Sequence, residues 1–129
     1  MAFNILLVDD SLTVRSVIAK ALRLAGVDIG QIYEACHGAE ALTVLEREWI
    51  DLVFADISMP VMDGEEFVDR LAASGAIEHL PVVIVSSAGS GPRIQRLKDK
   101  GVRAYVQKPF TPEQIREVVD KVMGVTNHE

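Results

Sequence analysis

Three aspartates stand directly after short apolar runs: Asp9 and Asp10 follow Ile5-Leu-Leu-Val8, and Asp56 follows Leu52-Val-Phe-Ala55. Two further polar groups are placed in the same way. Ser86 closes Val82-Val-Ile-Val85, and Lys108 follows Ala104-Tyr-Val106 after one glutamine. Brought together, three carboxylates repel each other and their pKa values rise unless a cation neutralises them. Magnesium suits such a site, because it prefers oxygen ligands, takes few protein groups and keeps positions for water and phosphate oxygens. The charges of three carboxylates, one magnesium ion and Lys108 cancel. A dianionic phosphoryl group esterifying one carboxylate would leave a single negative charge in excess, which hydrogen bonds from Ser86 and backbone amides can absorb.

Each piece also has a plainer reading. An Asp-Asp pair after a strand is commonly a helix N-cap. Asp56, followed by Met59-Pro60, could open a turn, and Lys108-Pro109 could be an exposed edge. These residues can act together only if the elements of the chain bring them to one place.

They do, if the apolar runs are strands. The runs 5–8, 52–55 and 82–85 are continuous and rich in β-branched residues, the pattern of strands buried on both faces. Ile32-Tyr33 and Ala104-Tyr-Val106 are shorter and mixed, which suits edge strands. Between them, Val14, Val17, Ile18, Ala21 and Ala25 form one helical stripe ended by Gly26. Leu42 and Leu45 mark a second helix. A third opens at Asp63 with Glu66 three residues on, and buries Phe67, Val68 and Leu71. A fourth runs from Pro92 to Gly101 with only Ile94 and Leu97 clearly apolar, so it should be weakly held. The fifth has Thr111 as N-cap, Pro112 at the first helical position, Gln114 to complete a capping box, and Ile115, Val118, Val119 and Val122 to bury.

Five strands alternating with five helices cannot pair as hairpins, which predicts a doubly wound α/β fold with a parallel sheet. Ligands in such sheets bind beyond the carboxyl ends of the strands. Asp9-Asp10, Asp56, Ser86-Ser87 and Gln107-Lys108-Pro109 then share one rim.

The 129 residues fit a single domain, expected over 1–123 with 124–129 as a tail. At 49% hydrophobic and 25% charged the chain reads as an ordinary globule. A net charge of −6 argues against nucleic acid as a partner. Met1-Ala-Phe-Asn-Ile-Leu-Leu-Val-Asp-Asp10 lacks a basic start and meets acids after four apolar residues, so neither a signal peptide nor a membrane span is expected. The single cysteine, Cys36, suits a reducing cytoplasm. Cys36, His37, His79 and His128 show no ligand spacing and read as surface or loop. The run Arg93, Arg96, Lys98, Lys100 reads as a solvated helix face. Gly89-Ser-Gly91 is not a nucleotide loop, lacking a third glycine and not following the first strand.

With these motifs assembled, the chain resembles the receiver domains of two-component signalling, and among them the single-domain chemotaxis response regulators. The resemblance runs from Ile5 to about Met123. It rests on Val8-Asp-Asp-Ser-Leu-Thr-Val-Arg15, Asp56-Ile-Ser-Met-Pro-Val-Met-Asp-Gly64, Leu80-Pro-Val-Val-Ile-Val-Ser86 and Gly101-Val-Arg-Ala-Tyr-Val-Gln-Lys-Pro-Phe110. It implies a flavodoxin-like fold with strand order 2-1-3-4-5, an order taken from the family. It implies Asp56 as phosphoacceptor, Asp9, Asp10, Asp56 and the backbone carbonyl of Ser58 as Mg2+ ligands, Lys108 as phosphate-binding cation, and Ser86 and Tyr105 as switch residues. A cis Lys108-Pro109 bond also follows from the resemblance.

The chain departs from the family at a few places: Ile57 stands where chemotaxis regulators often carry Trp, and Ser87 where Ala or Gly is usual. Ser58 occupies a variable position that tunes dephosphorylation. The resemblance implies a module switched by phosphorylation, not an enzyme in the ordinary sense. Its partners would be a sensor histidine kinase and a downstream effector, with no membrane and as a monomer, dimerisation on phosphorylation being left open. A relay to a histidine phosphotransfer protein is the alternative. An aspartyl-nucleophile phosphatase is a remoter one, because it wants a second Asp where Ser58 stands. A dinucleotide-binding fold is excluded, since Asp9-Asp-Ser-Leu-Thr13 replaces the glycine-rich turn.

Overall fold

The computed structural model describes residues 2–87 and 91–124. The expected loop residues Ala88, Gly89 and Ser90, and the expected tail after Gly124, lie outside the described residues. The strands are β1 (Phe3–Val8), β2 (Ile29–Ala35), β3 (Leu52–Ala55), β4 (Val82–Ser86) and β5 (Ala104–Gln107). They alternate with α1 (Leu12–Leu24), α2 (Gly38–Arg47), α3 (Gly64–Ser74), α4 (Gly91–Asp99) and α5 (Pro112–Met123), and a short 3-10 turn covers Ala76–Glu78. All pairings are parallel and the order is β2-β1-β3-β4-β5, as expected.

Side chains alternate across the central strands, which gives the sheet two cores. Leu6, Val8, Val53, Ala55, Val82 and Ile84 face Phe67, Val68, Leu71 and Leu97 of α3 and α4. Ile5, Leu7, Leu52, Phe54, Val83 and Val85 face Ile18 and Leu22 of α1 and Ile115 and Val119 of α5. Burial on both faces is why these strands read as unbroken apolar runs. The edge strand β2 lacks that signature because Gly30, Gln31 and Glu34 are exposed, so only Ile32-Tyr33 stood out of its seven residues.

Helix ends follow the expected caps with one difference, at α3. Thr111 and Gln114 form the full reciprocal box at α5. At α3 only half of the box is present: Asp63 accepts from the Glu66 amide, but the Glu66 carboxylate turns to Arg70. The stripe expected on α1 is also rotated. Val17 is 51% exposed, and Ala19 and Leu22 are buried in its place. Val17 instead lines a shallow apolar cleft of about 190 Å³ with Val14, Lys108, Pro109 and Phe110.

The basic run along α4 and the residue just past its end differs most from expectation. Arg93, Arg96 and Lys100 all reach Glu65 of α3, and Lys100 also pairs with Asp69. A helix with only Ile94 and Leu97 buried is thereby tied to its neighbour by charge. His37, read as plain surface or loop, is the N-cap of α2: its Nδ1 accepts from the Glu40 amide, and the Glu40 carboxylate accepts from the Cys36 amide. Among the described residues, no helix is long and apolar enough to cross a membrane.

Candidate functional site

Strand ends deliver the site. β1 runs into Asp9, whose amide donates to the Ala35 carbonyl of β2 (3.0 Å). β3 runs into Asp56, whose amide donates to the Val8 carbonyl of β1 (2.9 Å). The sheet ladder therefore continues one residue past each strand and fixes both backbones. Ser11, not either aspartate, caps α1, its hydroxyl accepting from the Val14 amide. The capping alternative for the Asp-Asp pair is thus filled by its neighbour, and the Asp10 carboxylate is left for other work.

Carboxylate oxygens of Asp9, Asp10 and Asp56 lie within 4.8 Å of one another. Lys108 reaches two of the three, with Nζ 3.4 Å from Asp9 Oδ2 and 3.5 Å from Asp56 Oδ2. It is carried there by β5, and its own amide donates to the Ser86 carbonyl (2.9 Å). Asp9 is buried while Asp10 is exposed. Burial pushes the Asp9 carboxyl above its ordinary pKa, and the Asp56 charge adds to that; the Ser11 amide and the Lys108 ammonium pull it back. One ammonium against three crowded carboxylates leaves the cluster short of positive charge, and a small oxygen-preferring divalent cation matches that donor set. The residues present fit magnesium.

Ser86 is buried at the end of β4 opposite Gln107 of β5, and Tyr105 stands two residues earlier on β5, opposite Ile84. The Tyr105 hydroxyl donates to the carbonyls of Ser86 (3.4 Å) and Ser87 (3.2 Å), so the aromatic ring is tethered to the strand end it was expected to sense. Ser58 is exposed on the loop directly after Asp56. That loop closes when the Gly64 amide donates to the Ile57 carbonyl (2.7 Å). At its crest the Met62 amide donates to the Pro60 carbonyl (2.7 Å), and Val61 between them has φ 66°. The Lys108-Pro109 bond is cis.

Other acids are occupied elsewhere. Asp51, at the opposite end of β3 from Asp56, accepts from the Asn4 amide and from the indole of Trp49. Asp63 caps α3.

One residue close to the acids was not picked out from the sequence. The Arg15 guanidinium donates from Nη1 to the Asp9 carbonyl and from Nε to Glu34 Oε1 (2.7 Å), with its side chain only 14% exposed. The available signal was a basic residue in the opening turn of a helix, where the dipole disfavours it.

A parallel sheet of order 2-1-3-4-5, with three gathered carboxylates and a lysine on its carboxyl rim, defines the receiver class of α/β proteins. Residues 5–120 match the family model for the response regulator receiver domain, and the chain belongs to that family. It is 34% identical over 127 residues to the chemotaxis protein CheY homolog of Campylobacter jejuni, covering 98% of this chain and 96% of that protein. The structure of the chemotaxis response regulator CheY4 of Vibrio cholerae superposes with a TM-score of 0.81 at 29% identity, covering 95% of this chain and 99% of that one. The receiver domain of a Pseudomonas aeruginosa sensor histidine kinase, whose structure has a magnesium ion coordinated in the active-site cleft, gives a TM-score of 0.81 over 96% of this chain and 99% of that one. Its 22% identity makes that a likeness of fold alone.

Proposed function

We propose that this protein is a phosphorylation-switched response regulator of the chemotaxis type, with Asp56 as its phosphoacceptor. The observation that carries the reading is the placement of Lys108 Nζ against both Asp9 and Asp56, beside a third carboxylate, at the rim where three strands end. Asp9, Asp10, Asp56 and the backbone carbonyl of Ser58 would hold Mg2+, which when bound supplies charge neutralisation for an incoming phosphoryl group.

The chain's own groups account for the rest. An Asp56 carboxylate oxygen attacks the phosphorus of a phosphohistidine on a sensor kinase. The new P–O bond forms as the P–N bond breaks, leaving an acyl phosphate on Asp56 and a free histidine on the kinase. Lys108, held by the Asp9 carboxylate and by its own backbone bond to Ser86, lies where it can pair with the transferred group. Ser86 offers a hydroxyl donor from the adjoining strand end. Loss of the phosphoryl group is a separate step, in which a water oxygen attacks the phosphorus and the P–O bond to Asp56 breaks, releasing inorganic phosphate and restoring the carboxylate. The receiver unit spans residues 1–123, with 124–129 as its tail, and works in the cytoplasm. The likeness to chemotaxis proteins supports an effector protein as reader of the phosphorylated form.

Incubation with a small phosphodonor and magnesium, followed by intact-mass measurement, should show one added phosphate. Asp56→Asn should abolish it, because Asp51 and Asp63 are both engaged in structural hydrogen bonds. Unchanged labelling of that variant would remove the central assignment.

A further inference from the structure

Asp9 and Asp10 are adjacent in the chain yet held very differently. Every polar atom of Asp9 is engaged. Its amide donates to the Ala35 carbonyl, its carbonyl accepts from Arg15, Oδ1 accepts from the Ser11 amide (2.8 Å), and Oδ2 faces Lys108. Asp10 is exposed, and among the described residues no hydrogen bond holds its carboxylate. Something must nevertheless aim the Asp10 side chain at the point that Asp9 and Asp56 share. The Asp9 carbonyl belongs to the planar peptide that joins Asp9 to Asp10. Fixing that oxygen fixes the plane on one side of Asp10, the Ser11 amide held by Asp9 Oδ1 fixes the plane on the other, and the two together set the direction in which the Asp10 α-carbon presents its β-carbon.

Arg15 grips that oxygen. Its position is costly in isolation, because a cation in the opening turn of a helix opposes the dipole and a guanidinium with little exposure must be paired. Both costs are met by two contacts. Nη1 holds the Asp9 carbonyl on β1, and Nε holds Glu34 on β2, an edge residue with half of its own side chain open to solvent. The planar, forked guanidinium can satisfy both at once, whereas the single ammonium of a lysine cannot reproduce that geometry.

We propose that Arg15 is a positioning residue for the divalent cation. With Glu34 it forms a strap that orients the Asp9–Asp10 peptide so that both carboxylates meet at one point. The inference rests on the reading of Asp9, Asp10 and Asp56 as the cation-holding set, and it extends that reading to two residues that touch neither cation nor phosphate. Outer partners that orient metal ligands act in this way generally.

The test is magnesium affinity by calorimetric titration, alongside urea unfolding in EDTA. Arg15→Gln should weaken magnesium binding by roughly tenfold, the lower end of what loss of such a partner costs. Arg15→Lys keeps the charge and should still be weakened. Glu34→Gln, a half-exposed change that leaves the fold intact, should lose affinity in the same direction but less, and it keeps the test alive if Arg15→Gln does not fold. Asp10→Asn is the control on the underlying reading. If Asp10→Asn weakens magnesium and Arg15→Gln or Glu34→Gln binds it as wild type does, the strap is wrong while the site stands. If Arg15→Lys restores full affinity, charge alone matters and the positioning role is overturned. If neither Asp10→Asn nor Arg15→Gln changes the affinity, the cation site itself has been misplaced and the strap falls with it.

Discussion

Gly64 lies against the backbone of Asp56: a β-carbon placed there would stand 2.1 Å from the Asp56 carbonyl oxygen and 2.8 Å from the Ile57 α-carbon. Both neighbours are main chain, so neither can swing aside as a side-chain tip could. The same residue donates its amide to the Ile57 carbonyl and closes the loop that carries Ser58. Gly64→Ala should therefore cost about 3 kcal/mol in urea unfolding, the upper part of the range for overpacking a tight site. It should also slow phosphorylation, because the loop must lift away from Asp56. An alanine variant of wild-type stability would show that the loop is slack.

A second prediction separates metal binding from capping at Asp10. With Ser11 already capping α1, Asp10 has no structural duty there. Asp10→Asn should weaken magnesium binding while leaving the metal-free protein as stable as wild type, or more stable by up to about 1 kcal/mol as carboxylate repulsion is relieved. The readout is urea unfolding in EDTA and again with magnesium. A metal-free variant clearly less stable than wild type would assign Asp10 to the fold.

Val61 offers a stability gain. A β-branched residue at φ 66° is strained, and at 79% exposure Val61 recovers almost nothing by burial. Asn tolerates the left-handed region, so Val61→Asn should raise the urea midpoint by an amount equivalent to about 1 kcal/mol. A lower midpoint would mean that the valine side chain is packed in solution.

What the sequence revealed, and what it hid, follows from which interactions leave a mark on residue type. Val82-Val-Ile-Val85 announces a strand because both its faces are covered, and Thr111-Pro-Glu-Gln114 announces a helix start because capping demands those residues. The three acids and Lys108 were legible as a site because parallel topology sends every strand end to one rim. Val17 was misplaced because periodicity does not say where a helix stripe ends. Glu65 could not be linked with Arg93, Arg96 and Lys100, since an ion network between two helices has no fixed spacing along the chain. Arg15 was hidden for a like reason: half of its role lies on Glu34, nineteen residues away on β2.

The network on α4 makes stability depend on pH at the acid end. The hydrogen bond from Arg96 first, with Lys100 assisting, holds the Glu65 carboxyl below its ordinary value of 4.5. A carboxyl lowered by folding contributes stability that is present above its unfolded value and lost as pH falls through the folded one. Glu65→Gln should therefore cost up to about 1 kcal/mol at pH 7, the scale of partly exposed ion pairs. The difference from wild type should shrink as the pH is taken below 4.5. It should shrink in high salt as well. A pH-independent difference would trace the loss to packing.

The Ser86 hydroxyl, at the end of β4, can donate to a phosphoryl oxygen on Asp56, and that bond would draw the strand end toward the acceptor. Tyr105 would feel the movement directly, since its hydroxyl is tied to the carbonyls of Ser86 and Ser87. Downstream lies α4, which buries only Ile94 and Leu97 and leans on α3 through partly exposed ion pairs of the kind that contribute up to about 1 kcal/mol each, so its displacement costs little. Phosphorylation then favours whichever arrangement of β4, Tyr105 and α4 binds the phosphoryl group better, by the difference in affinity between the two. Ser86→Ala should still accept phosphate, because Asp56, Lys108 and the cation ligands are untouched, but its α4 should respond weakly. Amide hydrogen exchange over residues 91–101, with and without a phosphoryl mimic, measures this. In wild type, exchange there should change when the mimic binds, and in Ser86→Ala most of that change should vanish. Equal responses in the two proteins, or none in wild type, would break the proposed link between the acceptor and α4.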